Sequence, residues 1–350
     1  MRIAIPTVLC LFAASAAAQT LLVLPAEYDR AWGRGSSSAL GGSATRTQMV
    51  FANPFPVGTV ILGIGLRDST GALNDAAFTA DVEITLSSTS ATPGALSSTF
   101  ASNVGSDALT VLPRQIVPIA AMPANRSTGL FAQIPFTTPF VFGLNAQPNI
   151  LVDLKVFGRT GGAGWSTDRM FASTTGRAIN TGIGCGAGTI SSTSTGGTYV
   201  VGSTVTITLA GAPANTFALL VYSFDQKEVA PGVLLPLNLG FLGAASNCDL
   251  MVNPSNSFTI HGVDGAGATS NAFVIPPGIG QQGVGVQWGY LVAPTPTNTL
   301  GLEITSNRTI WIGPEVGSPN AGYVYDLFSN TTLTGTANVN ACPVVQFILP

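Results

Sequence analysis

The chain has 350 residues, of which 46% are hydrophobic and 8% charged, with 41 glycines, 23 prolines and a formal charge of −3. High hydrophobicity with few charges excludes a disordered chain, the sparse Glu, Lys and Arg exclude a coiled coil, and glycines without a three-residue period exclude collagen. The lysines are Lys155 and Lys227 alone; no basic surface exists to neutralise a phosphate backbone, so nucleic acid is not an expected partner.

The first 18 residues read as a secretory signal peptide. Arg2 supplies the positive end, the stretch from Ile3 to Ala14 is apolar apart from Pro6 and Thr7, and Ala16-Ala17-Ala18 is a small-residue cleavage site before Gln19. A bilayer-spanning helix needs about 20 apolar residues, and Gln19 and Thr20 interrupt this run. Cleavage after Ala18 removes Arg2 and Cys10, leaving Cys185, Cys248 and Cys342. An odd number of cysteines in an oxidising compartment implies one disulfide and one free or intermolecular thiol. The expected location is secreted or at the cell surface.

From Val60 onward the pattern alternates. Val60, Leu62, Ile64 and Leu66 alternate with Ile61, Gly63, Gly65 and Arg67, and Val82, Ile84 and Leu86 with Asp81, Glu83 and Thr85. Ile150, Val152, Leu154 and Val156 face away from Asp153 and Lys155, as Val205, Ile207 and Leu209 do from their threonines. Period two marks half-buried antiparallel strands, and Phe217 to Phe224 is apolar on both faces. Short strands between Gly, Pro, Asn and Ser clusters predict an all-β protein of two antiparallel β-sandwich or jelly-roll-like domains in tandem. The prolines between Pro113 and Pro148 argue against a transmembrane barrel. A glycine-rich stretch places a linker near Ala178 to Gly188. The expected division is residues 19–177 as an N-terminal module, 178–313 as a C-terminal module, and 314–350 as an extension that packs back on a domain.

Chemistry-bearing constellations are thin. His261 is the sole histidine and stands where a strand meets an Asp-Gly turn; no G-x-S-x-G elbow accompanies it. Asp81 and Glu83 share a strand face, which could suit a carboxylate pair or calcium ligands, but the alternation favours a solvated face and no Asp-x-Asp-x-Asp loop supports calcium. Gly33-Arg34-Gly35 and Gly161-Gly162-Ala163-Gly164 precede no lysine-bearing helix and read as loops. No catalytic set, metal site or cofactor is expected. The binding hint is aromatic: Tyr28, Trp32 and Trp165 stand in polar, glycine-rich surroundings where a ring could stack on a sugar, whereas Trp288 and Trp311 read as packing residues. The expected function is a non-catalytic surface or extracellular-matrix protein, with glycans or cell-envelope components as partners. The alternatives are a carbohydrate-binding protein and a hydrolase using carboxylates.

Four strings in the second half carry a resemblance: Gly182-Ile183-Gly184-Cys185, Gly211-Ala212-Pro213-Ala214-Asn215, Leu235-Pro236-Leu237-Asn238-Leu239-Gly240-Phe241-Leu242-Gly243 and Cys248-Asp249-Leu250-Met251-Val252-Asn253-Pro254. Together they resemble a C-terminal module common in secreted proteins of planctomycete-type bacteria, a group without an assigned activity. Ile64-Gly65-Leu66-Arg67-Asp68 and Ile134-Pro135-Phe136 are similar to the β-rich modules that accompany it. The resemblance implies that Cys185 pairs with Cys248; the inserted Ala244 to Asn247 and the extra Cys342 depart from it.

Overall fold

A computed structural model describes residues 19–36, 39–69, 75–125, 127–161, 165–171, 174–255, 257–280, 282–313 and 320–350. The expected signal peptide, residues 1–18, lies outside the described residues. The fold is all-β, with antiparallel open sheets and, among the described residues, helix confined to short 3-10 turns.

The first module is built on two sheets around one core. A six-stranded sheet runs in the order Thr336–Asn338, Ala321–Asp326, Thr45–Phe51, Asn149–Thr160, Phe78–Thr89, Leu109–Ile119. A four-stranded sheet runs Thr20–Leu24, Val345–Leu349, Val60–Leu66, Ala132–Val141. The expected alternation places Val82, Ile84, Leu86, Ile150, Val152, Leu154 and Val156 in the shared core. In Val60–Leu66 the phase differs from the simple reading: Ile61, Ile64 and Leu66 are in the core, because a register shift between Ile61 and Gly63 flips the face midway. On the outer face of the six-stranded sheet, Arg46 and Gln48 both donate to Asp153, Asn103 donates to Gln48, and each polar group is thereby satisfied below the loop that follows Thr89.

The C-terminal residues 320–350, set apart as an extension in the expected division, supply strands of the first module. Val345–Leu349 is an interior strand, paired with Thr20–Leu24 on one side and Val60–Leu66 on the other. Ala321–Asp326 pairs with Thr45–Phe51, and Ala341–Pro343 pairs with Thr167–Phe171. The first module is therefore discontinuous, and the second is inserted within it.

The second module packs a sheet ordered Arg177–Thr181, Asn307–Trp311, Gly283–Leu291, Phe217–Ser223, Phe258–Gly262 against one ordered Thr189–Ser194, Thr204–Ala210, Thr269–Val274. Val205, Ile207, Leu209, Leu220, Trp288 and Tyr290 fill the space between them. The expected linker near Ala178 to Gly188 is corrected. Arg177–Thr181 is a strand paired with Asn307–Trp311, and the glycines after it are held close: a Cβ on Gly184 would lie 2.7 Å from the Ile304 carbonyl oxygen. Their small size serves packing here, in place of flexibility. Entrance and exit of the inserted module are thus neighbouring strands, with Arg177 opposite Trp311.

Candidate functional site

Tyr28, Trp32 and Trp165 are all buried, which corrects the expectation that they offer rings to a ligand. Glycine-rich flanks look like exposed loops in sequence, but Gly33, next to Trp32, lies tight against a neighbouring strand, where a Cβ would come 2.2 Å from the Arg169 carbonyl oxygen. Trp165 packs beside Phe78, with centroids 5.4 Å apart, and its Nε1–H donates to Thr167. Tyr28 stacks on Trp311 of the inserted module at 4.1 Å, and its hydroxyl accepts from the Phe171 amide. Burial raises the Tyr28 hydroxyl to about 12 against the opposing pull of Arg177 and that amide. Trp311 Nε1–H donates to the Trp32 carbonyl at 2.7 Å.

Beneath these rings lies a buried ion pair that the alternating pattern did not reveal. Arg67, expected on the polar side of its strand, is 0% exposed. Its Nε and Nη2 donate to Asp168 Oδ2 at 2.9 and 2.6 Å, and its remaining donors reach the carbonyls of Thr128 and Ala31. The rings of Trp32 and Phe131 flank the guanidinium. Desolvation raises the Asp168 carboxyl, while Arg67 pulls it back. Such a group is shielded from any substrate, and it ties together segments of the first module beside the junction.

Across the junction Asp29 pairs with Lys227 and Arg30 with Asp225, and the Gln226 amide donates to the Arg30 carbonyl. Gly283 keeps the approach close, since a Cβ there would lie 2.7 Å from that of Ala31. A shallow cleft of about 270 Å³ opens beside these residues, lined by Glu27, Asp29, Arg30 and Phe224.

The remaining chemistry-bearing residues are also engaged in structure. Asp81 pairs with Arg114 and Glu83 with Lys155, so each carboxylate is matched by its own cation across neighbouring strands. His261 Nε2 lies 2.8 Å from the Thr259 hydroxyl, and its ring meets Trp288 edge to face. Cys185 and Cys248 form a disulfide, the pairing implied by the resemblance, and Cys342 is a free thiol buried in the first core. Among the described residues no group of three His, Cys, Asp or Glu side chains is placed to hold a metal. Nor is any described helix long and apolar enough to cross a membrane.

One exposed aromatic side chain borders a cleft elsewhere. A cleft of about 440 Å³ is lined by Tyr325, Asp326, Phe328, Thr334 and Thr336, with Phe328 91% exposed. Tyr325 is held flat against Tyr323. Asp326 accepts from the amides of Phe328 and Ser329 and from the Thr332 hydroxyl, which holds its carboxyl below the ordinary range. The signal in sequence is an aromatic pair, Tyr325 and Phe328, straddling Asp326 ahead of a Ser/Asn/Thr run.

No protein-family model matches the chain, and no curated protein matches it. Among solved structures, the cryo-EM structure of the T=1 Penaeus vannamei nodavirus aligns over 85% of this chain and 93% of that one, at 12% identity and a TM-score of 0.11. That score does not describe a shared fold.

Proposed function

We propose that the protein is an exported, non-catalytic surface or matrix scaffold with a structural or adhesive role. The observation that carries this reading is the use made of its scarce charges: both lysines and Arg30, Arg46, Arg67 and Arg114 are spent in ion pairs that join strands or modules. A catalytic site instead gathers titratable groups in a cleft with their environments pushing them apart. Export is supported by the leader-like residues 1–18 and by the Cys185–Cys248 disulfide, a bond that persists in oxidising compartments. The test is incubation of the purified protein with cell envelopes and polysaccharides. Retention without bond cleavage is expected, and turnover that is lost in Asp81→Asn, Glu83→Gln or His261→Ala at unchanged melting temperature contradicts the reading.

A second reading, glycan binding, is favoured by the cleft at Tyr325 and Phe328. An exposed ring beside hydroxyls and a carboxylate suits the apolar face and the hydroxyl rim of a sugar. On this reading Phe328→Ala abolishes polysaccharide retention, whereas Trp165→Phe leaves it unchanged.

A further inference from the structure

The strand Phe258–Gly262 ends its sheet, and among the described residues no strand pairs with its far side. Most other sheet edges are guarded. Leu109–Ile119 carries Pro113, Arg114 and Pro118, Ala132–Val141 carries Pro135 and Pro139, Arg177–Thr181 carries Arg177, and Thr336–Asn338 is three residues long. Three further edges are unguarded but expose less: Thr189–Ser194 only Thr189, Ser191 and Thr193, Thr20–Leu24 one large apolar side chain, Leu21 at 47%, and Thr269–Val274 one, Val274 at 59%. Phe258–Gly262 has no proline, lysine or acid, and it exposes Phe258 and Ile260 at 61% and 68%, beside Phe217 at 61%.

Its backbone is set for pairing. The Val263 amide donates to Thr216 and the Tyr222 amide to the Ser257 carbonyl. With the register Ala218 to His261 and Leu220 to Thr259, the alternation of an antiparallel ladder turns the amides of Thr259 and His261 inward. Those of Phe258, Ile260 and Gly262 therefore point out to solvent. The same three residues share the outer face with Phe217 and Leu219, to which Gly262 and Ile260 are directly opposite.

We infer that this edge pairs antiparallel with the same edge of a second copy, with Ile260 on the two-fold axis. In that register Phe258 of each copy faces Gly262 of the other, and the outward groups of Phe258, Ile260 and Gly262 meet their counterparts. The strand is self-complementary in shape: a Cβ on Gly262 would meet nothing within 4 Å, so open space lies where the opposing phenyl ring must go. Past Gly262 that ring reaches Phe217 of the other copy. No charge on the strand opposes the approach, and an aromatic side chain carries 150–250 Å² of buriable surface. The two-fold set of Phe217, Phe258 and Ile260 with the strand edges thus offers on the order of 1,000 Å², near the lower bound of specific interfaces. The pairing stands apart from the scaffold reading, since it follows from the edge alone.

Sedimentation of the purified protein from 1 to 100 μM tests it together with two variants at the exposed position 260, each checked for unchanged circular dichroism and melting. We expect a monomer–dimer equilibrium with no larger species. Ile260→Lys sets two like charges on the axis and raises the dimer dissociation constant at least about tenfold. Ile260→Cys cross-links two copies on oxidation, because Cα atoms of a hydrogen-bonded antiparallel pair lie about 5.5 Å apart, within disulfide reach; Ser191→Cys on the other edge does not. A monomer throughout, a dimer indifferent to Ile260→Lys, or equal cross-linking through position 191 overturns the proposal.

Discussion

Arg67 and Asp168 show how a pair that looks functional by its burial is structural by its surroundings. Both side chains are fully enclosed, and every contact of the guanidinium is to protein. Removing one partner leaves the other charge buried and alone, so Arg67→Ala is expected to cost about 3–5 kcal/mol in urea unfolding, while Arg67→Met with Asp168→Leu costs distinctly less. Tyr28 gives a pH signature. The unfolded tyrosine ionises near 10.0 and the folded one near 12, so the buried hydroxyl's contribution is intact below pH 10 and is lost as pH rises through 12. The decline amounts to about 2–3 kcal/mol. Unfolding midpoints at pH 9 and pH 11 should therefore separate in the native protein and draw closer in Tyr28→Phe. They do not merge, because burial also raises Tyr290 to about 12.

At the scale of elements, the disulfide closes the second module. Cys185 and Cys248 stand 63 residues apart and tie the glycine-rich entrance to the apolar cluster around Leu239, Ala244 and Ile304. Chain-entropy reasoning gives such a closure about 4 kcal/mol, so Cys248→Ser should lower the second module's melting temperature clearly. Cys342 is different: its thiol is buried in the first core, and burial raises it well above the ordinary range. It should resist thiol reagents until the protein unfolds, and Cys342→Ala, which inserts no hydroxyl, should cost less than loss of the bond. The strands themselves were legible in sequence wherever alternation ran unbroken, as in Asn149–Thr160. The shift at Ile61 was not, since a bulge depends on the partner strand. The burial of Tyr28, Trp32 and Trp165 was equally hidden, because local polarity says nothing about what a distant segment, here Trp311, brings against a ring.

At the scale of the molecule, the chain starts the first module, leaves to build the second, and returns to complete what it began. No local property of the sequence announces that Val345–Leu349 belongs between Thr20–Leu24 and Val60–Leu66. Its side chains make the consequence plain: Val344, Val345 and Phe347 are wholly buried in the first core, so a chain that stops before Ala321 lacks both an interior strand and a share of that core. Meanwhile the inserted module leaves and rejoins at adjacent residues, Arg177 and Trp311, and can be excised without stretching the scaffold. The decisive measurement is calorimetric unfolding of two shortened proteins. One replaces residues 178–310 by a short glycine-rich link and keeps the C-terminal strands; the other ends at Arg177. We expect the first to unfold cooperatively and the second to show no cooperative transition. Cooperative unfolding of the second at the same temperature would contradict a first module completed by the chain's return.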